Sequence, residues 1–248
     1  MRRKLVAGNW KMNGLRASLP EVEAIAVAAA AHPGVDVALC VPATLIAAAT
    51  GVAGDLPIGG QDCHENDSGA HTGCISAVML KDVGATLTIV GHSERRADQN
   101  ETSHDAWAKG AAAHRQGLGV ILCVGETEAE RNAGRAERVV QAQIEKSVPE
   151  DADGGWFTVA YEPRWAIGTG RTPTLDEIAS IHAIARAKLA MMVGEERASH
   201  IRILYGGSVT GANAGDILAI DNVDGALVGG ASLTADKFVP IIEAAAAL

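Results

Sequence analysis

Eight short apolar runs recur along the chain, beginning near Leu5, Asp36, Leu56, Thr86, Gly119, Phe157, Ile201 and Gly225. Inside each run apolar residues follow one another instead of alternating with polar ones. Continuous apolar character marks a strand covered on both faces, as in a parallel sheet.

Helical stretches fill the intervals. Ser18-Leu19-Pro20-Glu21 has capping-box spacing with Pro in the first turn, and predicts a helix running to Ala31. His32-Pro33-Gly34 ends it, because Pro cannot continue a helix and Gly tolerates positive φ. Thr174-Leu175-Asp176-Glu177 repeats the capping arrangement before a long helix that stops near Gly194. Further helices are expected from Thr102 to Gln116, from Ala136 to Ser147 and from Thr234 onward. Strand and helix thus alternate eight times, about once every 31 residues of the 248. Right-handed crossovers let a parallel sheet close at eight strands and leave no edge. An open doubly wound sheet is the alternative, but no GxGxxG turn follows the first strand. The expectation is an α/β fold, a single (β/α)8 barrel forming one domain over residues 1–248.

Composition narrows the partners. Alanine supplies 46 positions and the three aromatic types only eight, so the core must rest on Ala, Val, Leu and Ile. The formal charge of −9 disfavours nucleic acid and anionic lipid. No stretch approaches the ~20 apolar residues that span a bilayer. The apolar run Leu5 to Ala7 behind the basic start is too short for a signal-peptide core, so a cytoplasmic protein is expected. Cys40 and Cys123 sit inside apolar runs as small buried hydrophobes.

Many glycines fall where strands hand over to loops, which in a barrel share the rim that carries chemistry. Gly8-Asn9-Trp10-Lys11 follows the first strand and offers a fixed cation beside an amide donor. Gly91-His92-Ser93-Glu94-Arg95-Arg96 places an imidazole at a helix start, where the dipole disfavours its protonation. Glu162 ends the sixth run as a candidate general base, and Pro163 to Pro173 behind it has the composition of a two-hinged lid. Tyr205-Gly206-Gly207-Ser208 and Val228-Gly229-Gly230 let backbone N–H groups approach an anion closely. Base, neutral electrophile, cation and phosphate cradle together fit proton transfer alpha to the carbonyl of a small phosphorylated sugar. No metal and no other cofactor is required if Lys11 and His92 stabilise the enediolate.

The segments GNWKMN at 8–13, GHSERR at 91–96, CVGET at 123–127, AYEPRWAIGTG at 160–170, YGGSV at 205–209 and DGALVGGASL at 224–233 resemble the triosephosphate isomerase family. They occur in the family's order and span nearly the whole chain. The resemblance implies interconversion of dihydroxyacetone phosphate and glyceraldehyde 3-phosphate. It assigns roles that belong to the family's known mechanism and not to these residues' spacing. Glu162 would be the base, His92 the neutral electrophile, and Lys11 with Asn9 the oxyanion environment. Glu94 would match a buried carboxylate that positions the site. The phosphate would rest on N–H groups of Gly168, Ser208, Gly229 and Gly230, and a closing lid would exclude water.

The resemblance also implies a homodimer in which the loop Gln61 to Cys74 reaches toward the partner's Asn9 and Lys11. Cys74 departs from the acidic residue usual there, which predicts an intact but weakened dimer with Arg95 short of one partner. Cys63, His64, His71 and Cys74 could alternatively be read as zinc ligands, although their spacing fits no common motif. A catalytically silent phosphate-binding barrel is a further alternative, but Lys11, His92 and Glu162 are all retained. Glu126-Thr127-Glu128-Ala129-Glu130-Arg131 reads as a solvated helix start, and Arg171-Thr172-Pro173 differs from the family's usual second lid hinge.

Overall fold

The structure, a computed structural model, describes residues 2–166 and 171–248. Eight strands form a closed ring in chain order: β1 Leu5–Asn9, β2 Asp36–Cys40, β3 Ile58–Gly60, β4 Leu87–Val90, β5 Gly119–Val124, β6 Phe157–Tyr161, β7 Arg202–Tyr205 and β8 Gly225–Val228. Every pairing is parallel, and β1 closes against β8 with Leu5 opposite Gly225. The continuous apolar runs now have their reason. Leu5 and Ala7 join Ala38, Cys40, Leu87, Ile89, Ile121, Cys123, Ala160, Leu204 and Leu227 in one cluster. Val6, Val37, Leu39 and Val90 belong to a second, larger cluster with the helices. Apart from the short β3, whose last two residues are glycines, the strands alternate between the two cores, so both faces are apolar.

The helices are α1 Leu19–Ala31, α2 Ile46–Val52, α3 Ala77–Asp82, α4 Ser93–Asp98, α5 Ser103–Arg115, α6 Glu128–Asn132, α7 Ala136–Ser147, α8 Leu175–Val193, α9 Glu195–His200, α10 Ala214–Leu218 and α11 Ala235–Ala246. The Thr174 box is formed as read: its hydroxyl accepts from the Glu177 N–H at 3.2 Å, and Glu177 accepts from the Thr174 N–H at 2.8 Å. The Ser18 box is not formed. A short 3-10 turn, Arg16–Ser18, already gives Ser18 helical dihedrals, so its hydroxyl faces back and accepts from the Leu15 N–H. Glu21 instead accepts from the Ala235 N–H at 2.7 Å, tying α1 to the start of α11.

Where β8 meets β1 the chain has no room for a side chain. Gly225 has φ of +147°, and a Cβ built there would lie 1.9 Å from the Leu5 carbonyl oxygen. Overlap with backbone cannot be relieved by a rotamer change. The Gly225→Ala variant is therefore expected to lose roughly 2–6 kcal/mol of stability from strain and overpacking. Chemical unfolding of parent and variant checks this, and an unchanged midpoint would contradict it.

Candidate active site

The barrel's strand ends bring most of the expected residues to one cleft of about 320 Å³, lined by Asn9, Lys11, His92, Glu162, Ser208, Gly229 and Gly230 among others. Gly168 lies outside the described residues. A larger cleft of about 820 Å³ opens at the opposite end, lined by α1 and the residues after α2. Among its charged groups, Arg3 and Arg202 both pair with Asp36.

Lys11 leaves β1 in a left-handed conformation, φ +54°, which a branched or long side chain seldom adopts. Two amides hold it there. Asn9 Oδ1 accepts from the Lys11 N–H at 3.0 Å, and Gln61 Nε2 donates to the Lys11 carbonyl at 2.9 Å. Gln61 is a supporting residue that the loop's sequence gave no reason to single out. The ammonium of Lys11 reaches Glu94 at 2.6 Å. Glu94 is half exposed, with a side-chain exposure of 49%, and is not the buried carboxylate the resemblance implied. As the second residue of α4 it turns outward to Lys11, and its charge stays in water.

His92 caps α4 from the end of β4. Its Nδ1 accepts from the Glu94 N–H at 3.2 Å, so in the neutral ring Nε2 is the donor nitrogen. Nε2 lies 2.9 Å from the Glu162 carboxylate. Burial pushes the imidazole toward the neutral form, but the adjacent carboxylate outweighs burial and raises its pKa in this arrangement.

Glu162 follows β6 directly and is 2% exposed. Burial pushes its carboxyl up; the His92 ring, the Ser93 N–H at 3.0 Å and the Lys11 charge bring it below the usual carboxylate range. Gly206 makes space for it, since a Cβ there would sit 2.8 Å from Glu162 Cγ. A charged, buried, shielded carboxylate beside an N–H donor is equipped to take a proton from carbon.

Ser208 follows β7, and its hydroxyl donates to the Ala166 carbonyl at 3.4 Å. Gly230 opens the 3-10 turn Gly230–Leu233 after β8, so its N–H lies in a first turn without an intrahelical acceptor. The Lys11 stem passes within 3.5 Å of where a Gly229 Cβ would stand, which brings the cation beside the glycine pair.

The acidic run after β5 is only partly solvated. Glu126 is fully buried, and its Oε1 accepts from Tyr161 at 3.2 Å, Trp165 Nε1 at 2.9 Å and Arg131 at 3.1 Å. The run looked like surface because its polarity is ordinary; Glu126 is drawn inward by Arg131 of the same run and by two donors distant in sequence, Tyr161 and Trp165. Arg131 and Arg171 lie over the Trp165 ring at 4.8 and 5.6 Å, and Arg171 pairs with Glu128.

In the loop after β3, Cys63 is buried and donates to the Lys109 carbonyl, the His64 and His71 rings lie 4.0 Å apart, and Cys74 is exposed. Among the described residues no group of three His, Cys, Asp or Glu side chains is placed to hold a metal. Arg95 pairs within the chain with Asp62 at 2.9 Å and Glu101 at 3.0 Å.

Comparison with known proteins agrees with this geometry. The family model described as triosephosphate isomerase matches residues 4–245. The chain is 55% identical to the triosephosphate isomerase of Dinoroseobacter shibae over 98% of its own length and 99% of the relative's. It is 56% identical to that of Ruegeria pomeroyi, covering 98% of each. The crystal structure of triosephosphate isomerase from Bartonella henselae superposes with a TM-score of 0.91 at 42% identity, covering 98% of both chains. With the barrel, the rim and the relatives in agreement, the chain belongs to the triosephosphate isomerase family.

Proposed function

We propose that this chain interconverts dihydroxyacetone phosphate and glyceraldehyde 3-phosphate through an enediolate, with Glu162 as the base. The observation that carries the assignment is the Glu162–His92 pair, a buried carboxylate 2.9 Å from the nitrogen that donates in the neutral ring. Glu162 takes the proton alpha to the carbonyl and returns it to the neighbouring carbon. His92 Nε2–H and the Lys11 ammonium donate to the oxygens as charge develops on them. Substrate must part Glu162 from His92 to reach both. The ring then loses the carboxylate that raises its pKa, and burial favours the neutral donor. Asn9 holds the Lys11 loop. The phosphate is bound by N–H groups of Gly168, Ser208, Gly229 and Gly230, with Lys11 supplying positive charge. No metal or other cofactor enters the scheme. A barrel that merely held phosphate would need neither the base nor the paired imidazole.

The barrel is read as one domain over residues 1–248, acting in the cytoplasm as a homodimer. Four free cysteines suit a reducing compartment, and no helix among the described residues is long and apolar enough to cross a membrane. For the dimer, Met12 is 96% exposed beside Lys11, and Ile75, Val78 and Met79 are exposed beside Cys74. Apolar side chains grouped on the rim of the site ask for cover.

Three outcomes are expected. Glu162→Gln removes the base without changing its shape, and kcat in a coupled isomerase assay should fall about 10²–10⁴-fold; near-parental turnover would sink the assignment. A ¹³C NMR titration of the ligand-free protein should find the Glu162 carboxyl ionised throughout the range above the ordinary glutamate value, with its midpoint below about pH 4.3; a midpoint higher than that contradicts the lowered pKa. Cys74→Asp should tighten the dimer in sedimentation velocity, but only by the worth of an exposed ion pair, about 0.2–1 kcal/mol. An unchanged dissociation constant removes Cys74 from the account of assembly.

A further inference from the structure

We infer that Gln143, on the outer helix α7, is a positioning residue that fixes where the Glu162 carboxylate stands. The inference rests on the assignment of Glu162 as the base. Gln143 does not line the substrate cleft, and its side chain is half-buried between α7 and the barrel. Its amide makes both bonds that a neighbouring strand would make to Gly125: Oε1 accepts from the Gly125 N–H at 2.7 Å, and Nε2 donates to the Gly125 carbonyl at 3.1 Å.

Gly125 needs those bonds because of its place in the ladder. The carbonyls of Val124 and Glu126 on either side accept from the N–H groups of Glu162 at 2.7 Å and Arg164 at 3.1 Å. Alternation along a strand therefore directs the Gly125 peptide groups away from β6, toward β4. That strand has already ended at Val90, whose partner in the register is Leu122. Left alone, one donor and one acceptor at a buried strand end would be unsatisfied, which costs each group its desolvation without a partner. Among side chains only a primary amide offers a donor and an acceptor in one plane at this reach.

The bond pair matters to the base because nothing separates Gly125 from Glu162. A Cβ on Gly125 would lie 1.8 Å from the Glu162 carbonyl oxygen and 3.3 Å from its Cα, so the two backbones are in direct contact. On the other side of the contact the carboxylate must meet His92 Nε2 at 2.9 Å and the Ser93 N–H at 3.0 Å. The next residue, Glu126, holds Trp165 at the start of the lid segment. A shift of Gly125 toward the space left by β4 thus moves the base. Gln143 prevents that shift without touching substrate.

The test compares Gln143→Met, which keeps the volume and loses both bonds, with the parent and with Glu162→Gln. In the parent background kcat is expected to fall roughly ten- to a hundredfold, the effect of misplacing a reacting group. KM should stay within about twofold, since the phosphate contacts are untouched. In the Glu162→Gln background the same substitution should leave the residual rate unchanged, because no base remains to misplace. A loss of similar size in both backgrounds would show a general structural role and overturn the inference, as would parental kcat in Gln143→Met. Retained activity in Glu162→Gln alone would instead remove the assignment of the base. Should the methionine variant not fold, Gln143→Asn keeps the amide one methylene short, and the same background dependence is expected at smaller amplitude.

Discussion

Everything at the catalytic rim depends on the pairing of β8 with β1. A parallel strand left at an edge exposes a row of unpaired peptide groups, and closing the sheet on itself removes both edges at once. Because all eight strands point the same way, closure also collects their C-terminal ends on one ring. Residues as distant in sequence as Asn9, His92, Glu162 and Gly229 then line a single cleft. The closure is possible only because Gly225 lets backbone meet backbone at the seam.

On that ring the electrostatics are local. The chain carries −9 overall, yet its site must receive an anion beside a buried carboxylate. In the proposed scheme Lys11 supplies the compensating charge, and the N–H groups of the glycine turns add partial positive charge without a counterion. Glu94 pairs with the ammonium at the rim. A chain can therefore repel polyanions at long range and still bind a small phosphate at short range, since screening separates the two scales.

The barrel was legible in the sequence because burial on both faces leaves an unbroken apolar signature, and eight such runs admit few topologies. The longer helices were legible through their caps and length. Short helices such as α2, α3 and α10 were not, because five to seven residues hold too few turns to display a period. The candidate site residues stood out at strand ends, where a charged side chain is conspicuous. Their supports did not. Gln143 meets Gly125 across 18 positions from within an ordinary-looking helix, Gln61 holds Lys11 from 50 positions away, and Glu126 sits in a run whose polarity suggests surface. Ser18 misled for the opposite reason: its local spacing was right, but the preceding turn had already set its dihedrals.

Lys11 shows what such supports cost. Its left-handed backbone carries strain of order 1–3 kcal/mol, and the Asn9 and Gln61 amides are spent on keeping it there. A sequence optimised for thermal resistance alone would relax that position, with glycine for instance, and would score the exchange as an improvement. The protein would gain in durability and lose the held position of the charge that the proposed reaction uses. Lys11 thus marks a boundary between what folding would choose and what turnover demands, and any stabilised version of this barrel has to be engineered around it.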